Sequence, residues 1–257
     1  MPHTPPRPLD GATVVWTGSL QSGKNLISAL EKAGADVPVY PLIEARPLMD
    51  EAQIAGVLSK KERFDWLVFS SAKAGALFPG PSKSVQGRIA AVGPATAFVL
   101  RQKGWPEVMV PDPHDAAALA VMVQLMGPPN ARVLFVKGDK SLATVPDLLS
   151  AAGLHVDTLT VYETVAAPKP DVQEAVRIVE AAGDGLVIGS PSGVEVLAAT
   201  LAPRELRELK PGLVWFTLGR TTARKLEARG VTDPIYPPNL SSEAFLSICV
   251  SALRGHR

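Results

Sequence analysis

Along the chain, short runs of consecutive apolar residues alternate with longer stretches in which apolar positions recur every three or four residues. The runs predict strands buried on both faces, and the periodic stretches predict helices laid over them. The strands expected in the first half are Val14–Trp16, Trp66–Phe69, Ile89–Val92 and Val108–Val110. In the second half they are Val133–Val136, Leu186–Ile188, Val214–Leu218 and Ile235–Tyr236. Helical faces such as Leu26, Ile27 and Leu30, or Leu142, Val145, Leu148 and Leu149, fall between them. Gly34, Gly104, Gly153 and Gly230 stand where helices end on a left-handed residue. Strand and helix in turn predict an α/β protein with doubly wound parallel sheets. Two extended segments, Val37–Pro47 and Val156–Pro168, are longer than the other strands. Pro38, Pro41 and Pro47 bar the first from a sheet interior, so the pair is read as two crossovers.

The second half repeats the first. Val92-Gly93-Pro94-Ala95-Thr96-Ala97 and Leu218-Gly219-Arg220-Thr221-Thr222-Ala223 lie 126 residues apart, and Leu100, Gly104 and Pro111 meet Leu226, Gly230 and Pro237 in the same register. Upstream, Gly34, Val37 and Glu44 meet Gly153, Val156 and Glu163 at an offset of 119, and Phe69-Ser70-Ser71 meets Ile188-Gly189-Ser190. An internal duplication is therefore expected, with the ligand site in the cleft between its halves.

At 257 residues the chain is long enough for two modest cores. Its 26 Lys and Arg against 25 Asp and Glu leave a net charge of +1. That balance excludes a broad electrostatic surface for nucleic acid or an anionic membrane. An anionic ligand must be held by local donors. Cys249 is the only cysteine and sits in an apolar helical pattern, so it reads as a small buried hydrophobe and no disulfide is possible. The histidines at 3, 114, 155 and 256 are scattered and imply no metal site. The Pro-rich start, Met1 to Asp10, is not a signal peptide, and no apolar run approaches a membrane span; a cytoplasmic location is expected.

Ligands of doubly wound sheets bind beyond the carboxyl ends of the strands. The loops expected there are Thr17-Gly18-Ser19, Ser70-Ser71-Ala72-Lys73, Gly93-Pro94-Ala95-Thr96, Lys137-Gly138-Asp139-Lys140, Gly189-Ser190-Pro191-Ser192-Gly193 and Gly219-Arg220-Thr221-Thr222. All are rich in small residues and hydroxyls. Free N–H groups at helix starts suit carboxylate or phosphate, although the same Ser and Thr serve equally as helix caps. Gly18 to Asn25 nearly spells a phosphate loop, but Asn25 replaces the hydroxyl that would hold Mg²⁺, and no strand ends in the acidic residue such a site needs. A nucleotide site is the weaker alternative. No Ser/His/Asp order and no paired carboxylates appear in these loops, so any reaction must need little acid–base power. Tyr162, on the second crossover, is the exception.

Several of these residues resemble one family. Val161-Tyr162-Glu163-Thr164-Val165 before Pro168, Ser190-Pro191-Ser192-Gly193, and Gly219-Arg220-Thr221-Thr222-Ala223 followed by Leu226 and Gly230 are similar to the motifs of uroporphyrinogen-III synthases. Phe69-Ser70-Ser71 and Val92 to Ala97 fit the same family, and the likeness runs from Val14 to Leu253. It implies two flavodoxin-like domains joined by a two-stranded antiparallel linker: residues 1–38 with 166–257, residues 48–157, and linker strands 39–47 and 158–165. The pattern alone equally allows unswapped halves near 1–127 and 131–257. The implied reaction closes the linear tetrapyrrole hydroxymethylbilane with loss of water and inversion of ring D, using no metal and no cofactor. An azafulvene forms first, and ring D then attacks through its substituted carbon to give a spiro intermediate; without enzyme, the uninverted isomer I results. Catalysis of that kind is mostly positioning. The resemblance casts Tyr162 as the donor to the departing hydroxyl, and Ser71, Thr96, Ser190 and Thr222 as binding hydroxyls. Lys137, Lys140 and Arg220 are expected to add charged contacts to carboxylates. It also implies a monomer in transient contact with the preceding enzyme. The chain departs from the family at Gly18-Ser19, where Arg-Pro is common, and at Lys137-Gly138, where Arg-Gly is common. A tetrapyrrole-binding paralogue without activity is the other alternative.

Overall fold

The computed structural model describes residues 7–59, 63–82 and 85–254. His3, His256 and most of the Pro-rich start therefore lie outside the described residues. In chain order the elements are β1 (Val14–Trp16), α1 (Leu20–Lys32), β2 (Ile43–Pro47), α2 (Glu51–Ser59), β3 (Trp66–Phe69), α3 (Ala72–Leu77), β4 (Arg88–Ala91), α4 (Pro94–Gln102), β5 (Val108–Met109) and α5 (Ala116–Met126). They continue as β6 (Arg132–Gly138), α6 (Thr144–Ala151), β7 (His155–Ala166), α7 (Lys169–Ala182), β8 (Gly185–Ile188), α8 (Pro191–Leu201), β9 (Val214–Thr217), α9 (Arg220–Glu227) and α10 (Ser242–Arg254). The chain divides into a discontinuous unit, residues 1–44 with 165–257, and a continuous unit, residues 45–164.

The continuous unit is built on a sheet of order β2-β7-β6-β3-β4-β5. Its centre is β3, whose Trp66 to Phe69 pair in parallel with Val133 to Val136 on one side and Arg88 to Ala91 on the other. Side chains of a strand alternate between faces, so an unbroken apolar run demands cover on both. Leu67, Phe69, Ile89, Ala91, Leu134 and Val136 pack on one face against Ile54, Leu58, Ala74 and Leu100 from α2, α3 and α4. Trp66, Val68, Ala90, Val133 and Phe135 pack on the other against Leu119, Val123, Val145 and Leu149 from α5 and α6. Each Val, Leu, Ile and Phe side chain among them contributes about 1.5–3 kcal/mol by leaving water.

In the discontinuous unit, β1, β8 and β9 pair in parallel in that order. Parallel bridges from Thr13 to Asp36 and Trp16 to Val39 extend one edge, and Phe216 to Ile235 extends the other. The lateral order is thus 36–39, β1, β8, β9, 235, matching β7, β6, β3, β4, β5 of the other unit. Val14, Trp16, Val187, Val214 and Phe216 meet α1 and α10 through Leu26, Leu30, Phe245 and Cys249. Val15, Leu186, Ile188 and Trp215 meet α7, α8 and α9 through Val172, Val194, Leu197 and Leu226.

Most differences from the expected strands trace to proline. Pro38 and Pro41 supply no N–H, so Val37–Pro47 is not one extended strand: it makes isolated bridges near β1 and becomes regular only at Ile43. The expected Ile235–Tyr236 strand shrinks to a single bridge at Ile235, hemmed by Pro234 and Pro237. By contrast the second extended segment forms one long strand, β7, from His155 to Ala166. The four helix-end glycines have φ between +83° and +105°.

One expected alternative is overturned here. A phosphate loop keeps its glycine-rich stretch as loop ahead of the helix, but α1 already begins at Leu20, which puts Gly23, Lys24 and Asn25 inside it. Gly23 serves packing instead: a Cβ there would come 2.3 Å from Cζ2 of the buried Trp16.

Candidate active site

In a doubly wound sheet the crevice opens where neighbouring strands send their helices to opposite faces. In the continuous unit that point lies between β6 and β3, since α6 packs on one face and α3 on the other. A cavity of about 310 Å³ occupies it, within the usual size of a small-molecule site. Phe135, Val92 and Val145 give it an apolar wall; Ser70 and Ser71 enter from the end of β3, Lys140 and Ser141 from the loop after β6, and Tyr162 from β7.

The polar groups form a connected set. Ser71 caps α3 in an extended conformation, and its hydroxyl accepts from the Ala74 N–H at 3.1 Å. The same oxygen lies 3.3 Å from the Tyr162 hydroxyl. Either hydroxyl can donate in this pair; with Ser71 donating to the phenol oxygen, the phenolic proton is free for a ligand. Ser70 and Ser141 are joined through their hydroxyls at 3.1 Å, tying the β3 loop to the β6 loop. Lys140 sets a positive charge at the rim, 65% exposed and 3.9 Å from Asp139. The Asp139 carboxylate is itself engaged, accepting from the Thr164 N–H at 2.8 Å.

The structure thus brings Ser70, Ser71, Lys140 and Tyr162 to one cavity. Ala72 and Lys73 open α3, Lys73 pointing to solvent; Lys137 is half-buried on β6, and Gly138 is buried beneath Tyr162. Gly93 and Pro94 start α4 next to the wall residue Val92, with Ala95 exposed and Thr96 buried. Ser141 and Thr144, two further hydroxyls of the lining, were missed by sequence reasoning. The signal was present, since Ser141 follows Lys140 in the same loop and Thr144 opens α6.

The discontinuous unit repeats the pattern at the ends of β1, β8 and β9. Ser190 caps α8 with its hydroxyl accepting from the Gly193 N–H at 3.3 Å, as Ser71 caps α3, and Pro191 and Ser192 follow half-buried. Gly219 starts α9 as Gly93 starts α4; Arg220 and Thr221 are exposed in its first turn and Thr222 is buried. Thr17 is buried, and its hydroxyl donates to the Val187 carbonyl at 2.7 Å, so it fastens β1 to β8. Among the described residues, no group of three His, Cys, Asp or Glu side chains has the arrangement of a metal site. No described helix is long and apolar enough to cross a membrane.

Solved uroporphyrinogen III synthases share the fold. A mutant enzyme from Thermus thermophilus superposes with a TM-score of 0.59 at 19% identity, over 95% of this chain and 99% of that one. The Helicobacter pylori 26695 protein gives 0.59 at 15% identity, over 93% and 99%. In sequence, the uroporphyrinogen-III synthase of Chlorobaculum parvum is 27% identical over 94% of this chain and 99% of its own. The chloroplastic uroporphyrinogen-III synthase of Oryza sativa is 26% identical over 92% and 80%. The sequence model of Uroporphyrinogen-III synthase HemD matches residues 24–247, most of the chain. The chain belongs to the uroporphyrinogen-III synthase family.

Proposed function

We propose that the chain is an enzyme of tetrapyrrole biosynthesis that closes hydroxymethylbilane to uroporphyrinogen III, with loss of water and inversion of ring D. The observation that carries this reading is the Tyr162–Ser71 pair in the switch-point cavity of a member of this family. Tyr162 donates its proton to the departing hydroxyl, which leaves as water. Ser71 donates to the phenol oxygen and so favours the phenolate that forms. The proton returns when the closed macrocycle regains its aromatic pyrroles, and the overall change is loss of one water. The apolar wall and the loop donors hold the chain so that ring D attacks through its substituted carbon. Groups suited to substrate carboxylates are, in the continuous unit, the starts of α3 and α4, Lys137, Lys140 and the Ser70 hydroxyl, and, in the discontinuous unit, the starts of α8 and α9, Arg220 and the hydroxyls of Ser190, Ser192 and Thr221.

The same reading takes the two units as a duplicated flavodoxin-like domain, approximately 1–38 with 166–257 and 48–157. The matching strand order supports it. An antiparallel linker of 39–47 and 158–165 is supported by two bonds, Ala167 N–H to the Leu42 carbonyl at 2.9 Å and Leu48 N–H to the Val161 carbonyl at 3.0 Å. The partner residue number falls as the other rises, as in an antiparallel ladder.

The test is a coupled assay in which freshly generated hydroxymethylbilane is incubated with and without the protein and the oxidised products are separated by isomer. Predominant isomer III is expected. Isomer I alone, from folded protein, refutes the enzymatic reading, and ligand binding in that case identifies a non-catalytic tetrapyrrole binder.

A further inference from the structure

The residues that follow β6 shape the seat of Tyr162. Up to Lys137, which faces Thr160, the β6–β7 ladder is regular; the next pair is Gly138 with Tyr162, so Val161 is an extra residue on β7. A bulge of this kind re-aims the side chain beside it and interrupts the ladder. Beyond the bulge, Asp139 supplies both remaining contacts. Its N–H donates to the Tyr162 carbonyl at 3.0 Å, and its carboxylate accepts from the Thr164 N–H at 2.8 Å. Arg46 holds the intervening Glu163 by an ion pair of 2.6 Å. The phenol ring lies directly over Gly138: a Cβ there would sit 2.3 Å from Tyr162 Cζ and 2.6 Å from its hydroxyl oxygen. Gly138 is not among the glycines with positive φ. Its lack of a side chain therefore serves the ring above it, not the backbone.

We propose that Asp139 and Gly138 are positioning residues for Tyr162: Asp139 fixes the strand at Tyr162 and just beyond it, and Gly138 provides the floor for its ring. This rests on the reading of Tyr162 as proton donor. Asp139 then acts through the protein and makes no contact with substrate carboxylates, whose charge it would repel. The function of the pair is geometric, because the phenol must meet the departing oxygen within hydrogen-bond reach, and displacements near 1 Å are enough to impair such a step.

The experiment measures kcat, KM and isomer ratio for Asp139→Ala, Asp139→Asn, Gly138→Ala and Tyr162→Phe, with hydrogen exchange of the Thr164 amide in each. Asp139→Ala is expected to lower kcat by about tenfold or more with KM within about twofold, and to speed exchange at Thr164. Asp139→Asn keeps the acceptor oxygen and should recover most of both losses. Gly138→Ala leaves the backbone undisturbed and displaces the ring, giving the same fall in kcat even if Asp139→Ala does not fold. Parental kcat in Asp139→Ala or Gly138→Ala overturns the proposal, as does an Asn variant no better than Ala. Parental kcat in Tyr162→Phe instead overturns the role of Tyr162 itself; the Thr164 amide then still reports whether Asp139 holds the strand.

Discussion

Two helical glycines, Gly23 in α1 and Gly56 in α2, should respond in opposite directions to the same substitution. Alanine in a helix interior gains about 1 kcal/mol over glycine by propensity alone. At Gly56 nothing lies within 4 Å of the added Cβ, so Gly56→Ala should deliver that gain nearly intact. At Gly23 the added Cβ would sit 2.3 Å from Cζ2 and 2.4 Å from Cε2 of Trp16. Trp16 cannot swing aside, because it is fully buried and packed edge-on against Phe245 with ring centroids 6.0 Å apart. Overpacking of this kind costs about 1–3 kcal/mol, which cancels or exceeds the propensity gain. The propensity term is common to both variants, so their difference should be about 1–3 kcal/mol, with Gly56→Ala the more stable. Equilibrium urea unfolding of parent and variants measures it. Trp16→Leu should relieve the clash, so Gly23→Ala should cost less in that background. A Gly23→Ala variant as stabilised as Gly56→Ala would refute the assignment of Gly23 to packing and reopen the phosphate-loop reading.

Other expectations follow from single contacts. Removing the hydroxyl that Thr17 donates to the Val187 carbonyl, by Thr17→Val, should cost about 1 kcal/mol in urea unfolding while KM stays near parental; a large rise in KM would return Thr17 to the binding site. Burial pushes the Cys249 thiol up to about 12, so the native protein should resist thiol-labelling reagents and react only when unfolded; stoichiometric labelling of folded protein contradicts this. Glu195 is held below the usual carboxylate range, first by its hydrogen bond to Lys225 and then by Arg229. Its contribution is therefore present above the ordinary carboxylate pKa and lost as the pH falls through the lowered one. The stability gap between parent and Glu195→Gln should be full at neutral pH and close as the pH falls below the ordinary carboxylate range. Because the cluster is exposed, the gap should be small and salt-sensitive; a gap that widens in acid has the wrong sign.

The alternation of apolar runs and helical stripes made the strands legible because each run is buried on both faces and needs no other signal. Glycines 34, 104, 153 and 230 announced helix ends through a conformation that other residues rarely adopt. The start of α1 was less legible: glycines at 18 and 23 suggest loop in any window, and only the indole of Trp16 packed beneath explains one of them inside a helix. The site was partly legible. Ser71 and Ser190 could be read as caps or as ligand donors, and the structure shows them capping while Ser71 also reaches Tyr162. Asp139 read as part of a ligand loop, because a bulge between neighbouring strands leaves no trace in local sequence.

The interrupted course of the discontinuous unit has a consequence for how the protein is made. β1 finds its local neighbour at residues 36–39 soon after synthesis, but its other edge must wait for β8, some 170 residues later, as in the Thr13–Asp184 bond. Residues 45–164 are complete as a unit before β8 leaves the ribosome, so their core can close first, while an apolar N-terminal segment remains without its partner. Long-range parallel pairing of this kind is slow and exposes hydrophobic surface. The expected signature is a fragment of residues 45–164 that unfolds cooperatively on its own, and a chain stopped before Gly185 whose first 44 residues are readily cut by protease. In the living cell, the vulnerable moment for this enzyme is the interval between the two halves of a single sheet.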